Sequence, residues 1–198
     1  MYQHLSTPIR LFSAGVLAFA LSTAAHAETR LVQLNAKYHN NPVRAVYLQL
    51  GKGTYEVKPV GSATGAEHSA WSVWSQTSCK EARGCARTIP TRFTGLHNNY
   101  YVISPLISAV KVEGKSLEPV AETPTPRMNS YFLVTDQTRA YEVVEPHVYV
   151  NEATALAGAK TSTFTLNEAG KVGFALLDLS RTSDNRGGMA LQVRKLFD

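Results

Sequence analysis

Hydrophobic and polar residues alternate along much of the chain, in short runs rich in β-branched and aromatic side chains. A period of two is typical of half-buried β-strands. Alanine-rich residues 151–159 form the one plausible short helix. The pattern predicts an all-β chain, a β-sandwich of the jelly-roll type with one short helix. Strands are predicted at residues 31–36, 43–50, 54–60, 100–104, 131–134, 141–144, 163–166, 172–177 and 189–196.

Turn-forming residues separate these runs. Gly51-Lys52-Gly53 predicts a hairpin that pairs the strands on either side, because glycine reaches positive φ without steric cost. A second hairpin is predicted from the two last strands, with residues 178–188 as its loop. Residues 39–42 are turn-like, and residues 61–70 and 113–127 are expected to be loops.

The first 27 residues have the composition of a cleavable signal peptide. Arg10 precedes an apolar stretch, and Ala25-His26-Ala27 places small residues where a signal peptidase cleaves. The apolar stretch is 11 residues long. A spanning helix needs about 20, which favours a signal peptide over a membrane anchor. We therefore expect a periplasmic or secreted protein with one domain, residues 28–198, and no membrane span.

Cys79 and Cys85 are the two cysteines of the chain. An even number in an exported protein predicts a disulfide. The alternatives are a redox pair or a metal site. Five intervening residues fit neither a Cys-Xaa-Xaa-Cys motif nor the spacing of zinc ligands. The sequence predicts a structural disulfide that pins one surface loop.

The formal net charge is +5 at pH 7, and the cations are scattered along the chain. This modest excess is compatible with binding to anionic surfaces, or simply with a mixed solvated surface. No basic cluster with interleaved aromatic residues indicates a nucleic-acid partner. The sequence contains no nucleophile elbow, zinc-protease motif or phosphate loop, which favours a binding protein over an enzyme. Oligomeric state stays open.

Side chains that carry oxygen are concentrated in residues 178–188. Asp178 and Asp184 offer carboxylates, Asn185 offers an amide oxygen, and either Ser180 or Thr182 is placed to turn a backbone carbonyl inward. Calcium takes six to eight oxygen ligands of these kinds. Because Asp-Asn and Gly-Gly are also ordinary turn residues, the residues alone leave a calcium site and a plain turn open.

The segment 174–193 resembles the final hairpin of bacterial galactophilic lectins with a galactose-binding-like jelly-roll fold. Residues 32–36, 46–57 and 70–74 follow the order strand, glycine turn, strand and tryptophan of those domains. The resemblance implies a calcium ion that bridges the protein to sugar hydroxyls. Residues 105–145 have no clear counterpart in the family.

The resemblance also assigns the calcium ligands. Asp178 matches the aspartate at the start of the loop, and Thr182 matches the loop carbonyl. Asp184 and Asn185 match the polar pair before the glycines, with Asp184 standing where the family has an amide.

Trp71 and Trp74 are candidate platforms for a sugar ring, whose apolar face packs well on an indole. A spacing of three places them on opposite faces of a strand, so at most one easily faces the loop. The alternative is that one or both belong to the core. His68, on the preceding loop, is a candidate contact to a sugar hydroxyl, or an ordinary surface histidine.

These observations give a leading hypothesis of an exported, calcium-assisted carbohydrate-binding protein. The alternative is a periplasmic structural or protein-interaction module that keeps the scaffold without binding sugar. A third possibility is a hydrolase with its site in the unassigned middle segment.

Overall fold

The structure, a computed structural model, describes residues 28–72, 95–121, 130–135, 139–144, 149–176 and 185–198. Within these residues the strands form two sheets, and the one helix is α1 (Glu152–Ala157). The predicted all-β sandwich with a short helix is confirmed. The strands are β1 (Thr29–Asn35), β2 (Val46–Leu50), β3 (Gly53–Val60), β4 (Trp71–Ser72), β5 (Tyr100–Ile103), β6 (Ile107–Val112), β7 (Lys115–Ser116), β8 (Val120–Ala121), β9 (Ser130–Thr135), β10 (Arg139–Val144), β11 (Ser162–Leu166), β12 (Gly170–Ala175) and β13 (Arg186–Phe197).

Each sheet draws its strands from distant parts of the chain. The first sheet has the order β1-β13-β3-β11-β6-β7, with β4 paired to the start of β13. The second has the order β2-β12-β5-β9-β10-β8. Neighbours are antiparallel except for β5 and β9, which run parallel. Most contacts are therefore long-range, and the fold depends on burial between the sheets.

The core lies between the two sheets and follows the predicted alternation. Phe164 and Leu191 enter it from the first sheet, and Phe174 and Val102 enter it from the second. Phe164 stacks on Tyr55 with ring centroids 5.5 Å apart. Burying a side chain of this size stabilises the fold by about 1.5–3 kcal/mol.

A buried pair of hydroxyls also links the sheets. The Tyr100 hydroxyl of β5 lies 2.8 Å from Ser162 Oγ of β11, and both residues are buried. Burial raises the pKa of Tyr100 well above its ordinary value. The phenol therefore stays protonated and available for hydrogen bonding inside the core.

Both predicted hairpins are wrong. β2 pairs with β12 in the second sheet, whereas β3 pairs with β13 and β11 in the first. The turn at Gly51 therefore crosses between sheets, and the Tyr55 hydroxyl closes it by donating to the Gly51 carbonyl at 2.9 Å. β12 and β13 likewise lie in different sheets and do not pair with each other. Turn residues mark where the chain reverses, but inter-sheet burial decides which strands become neighbours.

Other element boundaries differ locally from the prediction. Residues 113–127 were expected to be a loop, yet they include the two-residue strands β7 and β8. β2 begins only at Val46, because Pro42–Arg44 forms a 3₁₀ turn capped by Asn41. Helix α1 is confirmed, and the Asn151 side chain caps it by accepting from the Thr154 amide at 2.9 Å.

The predicted signal peptide, residues 1–27, and the predicted disulfide between Cys79 and Cys85 fall outside the described residues. β1 begins at Thr29, so cleavage after Ala27 would leave every described strand intact. Among the described residues, no helix is long and apolar enough to cross a bilayer.

Gly188 is needed where β1 and β13 approach each other. A Cβ built on Gly188 would lie 2.0 Å from the Leu34 carbonyl oxygen, which belongs to the backbone and cannot rotate away. We expect Gly188→Ala to lower the free energy of unfolding by about 3 kcal/mol, measured by urea denaturation. Gly65→Ala is the matched control. It has open space but a φ of +83°, and should cost about 1 kcal/mol. Equal losses in the two variants would contradict the close approach.

Candidate functional site

Residues 177–184, which include most of the candidate loop 178–188, lie outside the described part of the chain, together with the predicted ligands Asp178, Thr182 and Asp184. Trp74 also lies outside it. Asn185, His68 and Trp71 are described, as are the two residues that flank the loop. All of these except His68 form the base of the candidate loop.

Both ends of the loop are fastened to one turn, residues 35–39. On one side, the Leu176 amide donates to the His39 carbonyl at 2.7 Å. On the other, Asn185 Nδ2 donates to the Ala36 carbonyl at 2.9 Å. The Ala36 amide donates in turn to the Gly187 carbonyl at 3.0 Å. The turn thus fixes where the loop leaves one sheet and joins the other.

The turn is closed by reciprocal bonds between its first and last residues. The His39 amide donates to the Asn35 carbonyl at 2.8 Å, and the Asn35 amide donates to His39 Nδ1 at 2.9 Å. Asn35 Oδ1 also accepts from the Lys37 amide at 2.9 Å, an Asx-type turn. His39 Nδ1 must therefore be unprotonated, and the imidazole neutral, for the turn to close fully.

The backbone conformation at Gly187 explains why a glycine stands at the first position of the Gly-Gly pair. Its φ is +73°, in the left-handed region that favours glycine. This conformation carries the chain from Asn185 into β13, where Gly187 pairs with Trp71 of β4. The glycines therefore have a structural role at the base of the loop, with or without a bound ion.

Asn185 is the predicted ligand that the structure describes, and its carboxamide is fully buried. Because the Ala36 carbonyl can only accept, Nδ2 must face it, and Oδ1 points the other way. Among the described residues, Oδ1 has no hydrogen-bond partner. A buried oxygen without a donor is rare in native proteins, and each instance calls for an explanation.

The sequence left Trp71 as either a platform for a sugar ring or a core residue, and the structure places it in the core. Its side chain is fully buried, and Nε1 donates to the Asn99 carbonyl at 3.2 Å. The indole lies against the His97 imidazole, with ring centroids 5.0 Å apart. Backbone bonds in both directions join the same two residues. Trp71 therefore stabilises the base of the loop and presents no exposed face to a ligand.

His68 lies apart from this base. Its imidazole is partly exposed, and Nε2 lies 3.5 Å from the Glu67 carboxylate. The surrounding loop is fastened to β1, because Gln33 Nε2 donates to the Gly65 carbonyl and Gln33 Oε1 accepts from the Glu67 amide. No described contact brings His68 to Asn185.

Buried amides at this end of the sandwich were not predicted. Asn98 Nδ2 donates to the Ala155 carbonyl at 2.7 Å and so holds α1 against the segment before β5. Asn40 is fully buried and donates to the Lys37 carbonyl at 2.8 Å. Asn99 is also buried. The asparagine pairs at 40–41 and 98–99 were a visible signal, since asparagine is favoured in turns.

In the described residues, no group of three or more His, Cys, Asp or Glu side chains could hold a metal ion. The buried oxygen of Asn185 fits the donor chemistry of a calcium site, and the other three assigned oxygens come from the sequence alone.

The closure of the turn predicts a pH dependence. Burial lowers the pKa of His39 below its ordinary value of 6.5, so the unfolded chain takes up a proton more readily than the folded one. The stability contributed by neutral His39 is therefore complete above about pH 6.5 and is lost as the pH falls. We expect His39→Asn to flatten the dependence of unfolding free energy on pH between 7.5 and 5.

The measurement is urea denaturation at several pH values, with wild type and variant compared at each. His68→Asn is the matched control, because the His68 imidazole makes no hydrogen bond to the backbone in the described contacts. If His68→Asn flattens the profile and His39→Asn does not, the closure by His39 is refuted.

Comparison of the chain with protein-family models, with curated proteins and with solved structures found no match.

Proposed function

We propose that the protein is an exported carbohydrate-binding protein on a jelly-roll type scaffold, in which calcium held by residues 178–188 orients sugar hydroxyls. The observation that carries the proposal is the buried, unpartnered Oδ1 of Asn185 at the base of this loop. The lectin-like order of sequence motifs is its second support.

The energetic argument starts from the cost of this oxygen. Leaving a buried acceptor unpaired costs about 1–3 kcal/mol. A calcium ion would remove that cost, since amide oxygens are among its ordinary ligands. Asp178 and Asp184 would add two carboxylates and Thr182 a backbone carbonyl, from the same loop.

The base of the loop suits a site of this kind because it is rigid before the ligand binds. Hydrogen bonds from Leu176 and Asn185 reach the same turn, so the separation of the two loop ends is set by the fold. A ligand set held by such a base loses little conformational entropy when the ion binds.

Recognition of sugar would rest on the metal and on polar groups. Trp71 is buried and cannot stack on a sugar ring. Trp74 keeps its place as the candidate aromatic platform, on sequence grounds alone. The protein would hold the ion in a fixed position, and the ion would supply coordination sites for hydroxyls of the sugar.

Calcium binding should raise thermal stability. A ligand that binds only the native state adds about 2.7 kcal/mol when its concentration is one hundred times Kd. For a domain of this size that is a rise of about 5–10 °C in Tm. We expect the rise with calcium in differential scanning calorimetry, and its loss in Asp178→Asn, which removes a charge but little volume.

Glu118→Gln is the matched control, because it removes the same charge from an exposed position in another part of the chain. It should keep the full rise in Tm. Wild-type protein whose Tm does not change in 10 mM calcium would rule out the metal site.

Sugar binding is tested separately with a glycan array. We expect the wild-type protein to retain a defined set of glycans in calcium and to lose them in a calcium chelator. Asp178→Asn should lose the same glycans while its far-ultraviolet circular dichroism stays unchanged. An array without signal in calcium would refute carbohydrate binding.

The burial of Trp71 favours a second candidate, an envelope protein-interaction module on the same scaffold. It predicts a silent glycan array together with specific recovery of a partner protein. The two candidates differ in outcome, since only the first requires calcium-dependent retention of sugar.

A further inference from the structure

Tyr38 is 64% exposed, and it lies in the turn that holds both ends of the candidate loop. The next residue is His39, whose carbonyl accepts from the Leu176 amide. Two residues before Tyr38 is Ala36, whose carbonyl accepts from the Asn185 side chain. Consecutive Cα atoms are about 3.8 Å apart, so the Tyr38 Cα lies no more than about 8 Å from that of either residue.

Hydrogen bonds fix the backbone on both sides of Tyr38. Its amide donates to the Asn35 carbonyl at 3.1 Å, and the Lys37 carbonyl accepts from Asn40 Nδ2 at 2.8 Å. The closure between Asn35 and His39 completes the turn. A ligand that contacts the Tyr38 ring therefore has to order little more than the side chain itself, which keeps the entropy cost of binding low.

The Tyr38 side chain has no structural role among the described residues. It belongs to none of the hydrophobic clusters, and its hydroxyl makes no hydrogen bond to them. Tyr47, which is 46% exposed, differs in both respects. The Tyr47 hydroxyl donates to the Pro42 carbonyl at 3.0 Å, and a Cβ built on Gly173 would lie 2.8 Å from the Tyr47 ring.

Position separates Tyr38 from the remaining exposed aromatic residue of the described part, Phe197. Phe197 is 62% exposed and ends β13, where it pairs with Thr54. Asn185 precedes the other end of this strand, and a strand rises about 3.3 Å per residue. Phe197 is therefore remote from the loop base, and Tyr38 is the described exposed aromatic residue that adjoins it.

The neighbour of this turn is what points to a ligand, since a single exposed aromatic residue is ordinary on a protein surface. Asn185 Oδ1 is buried and has no partner among the described residues, and the same carboxamide donates to Ala36 of the turn. An ion bound to this oxygen would lie beside the turn. A pyranose presents hydroxyls at its rim and C–H groups on a face, and such a face packs well on an aromatic ring.

We propose that the Tyr38 ring packs against the C–H face of the sugar whose hydroxyls the calcium ion binds. This inference rests on the proposed function and adds to it the aromatic residue that contacts the sugar. Trp71 is fully buried and cannot make this contact. The class of ligand is a pyranose that offers hydroxyls to the ion and a face of C–H groups to Tyr38.

The test is a titration of the calcium-loaded protein, followed by proton NMR, with the methyl pyranosides of galactose, glucose, mannose and fucose. For each glycoside that the wild type binds, we expect Tyr38→Ala to raise Kd at least about tenfold. Tyr38→Phe keeps the ring and should stay within about twofold of the wild type. Phe197→Ala is the matched control, because it removes a ring of similar exposure far from the loop base and should leave Kd unchanged.

Two further readouts separate contact with the sugar from a structural role. An aromatic ring shifts protons above its face upfield, so the C–H protons of the bound glycoside should shift upfield with the wild type and with Tyr38→Phe. They should not do so with Tyr38→Ala. The rise in Tm with calcium, measured without sugar, should be the same in all four forms.

Each contrary result has a distinct meaning. A wild type that binds none of the glycosides overturns the proposed function together with this contact. Wild-type binding that Tyr38→Ala retains in full overturns the contact alone. Loss of the calcium-dependent rise in Tm in Tyr38→Ala also overturns the contact, because the ring would then stabilise the loop rather than the bound sugar.

Discussion

The closure of residues 35–39 is the constraint on which the base of the candidate loop depends. Asn35 and His39 bond to each other through two hydrogen bonds, and the carbonyls of the same turn receive Leu176 and Asn185. β1 ends in this turn, and the strands on either side of the loop meet it from different sheets. One local structure therefore sets the end of an edge strand, the crossing between layers and the position of the Asn185 carboxamide.

Around this turn, hydrogen bonds from polar side chains hold the backbone in place. Elsewhere in the sandwich, apolar packing does so. Between the sheets, burial of Phe164, Phe174 and their neighbours supplies most of the stability. At the loop end, asparagine side chains satisfy backbone carbonyls that no strand partner reaches, as Asn98 does for Ala155. Such bonds hold irregular backbone in place, which a functional site needs. The Asn185 oxygen is an acceptor at this end that no described residue satisfies.

Local patterns in the sequence were enough to predict the class of fold and most strands. The alternation at 163–166 and 172–177 gave β11 and β12, and the alanine-rich segment gave α1. β6 was missed because Ser108 and Ala109 interrupt the alternation. Strand pairing was not predictable, since a period of two tells which face is buried but not which strand lies beside it.

In the candidate site, too, local features were predictable and long-range contacts were not. The turn-like residues at 39–42 could be seen in the sequence, but the bonds from Leu176 and Asn185 to the turn join residues about 140 positions apart, and no local pattern encodes them. The burial of Trp71 also depends on remote partners, chiefly His97 and Asn99. Three-residue spacing left that indole undecided between core and surface, and tertiary packing decided it.

Fastening both ends of a loop to one turn has a consequence for how this protein can change over evolutionary time. Closing the segment between Leu176 and Asn185 costs conformational entropy. The hydrogen bonds from Leu176 and Asn185 to residues 35–39 offset that cost. Doubling the length of the segment would cost only about 0.6 kcal/mol. The segment can therefore be exchanged or lengthened at little cost to stability, while the sandwich beneath it stays as it is.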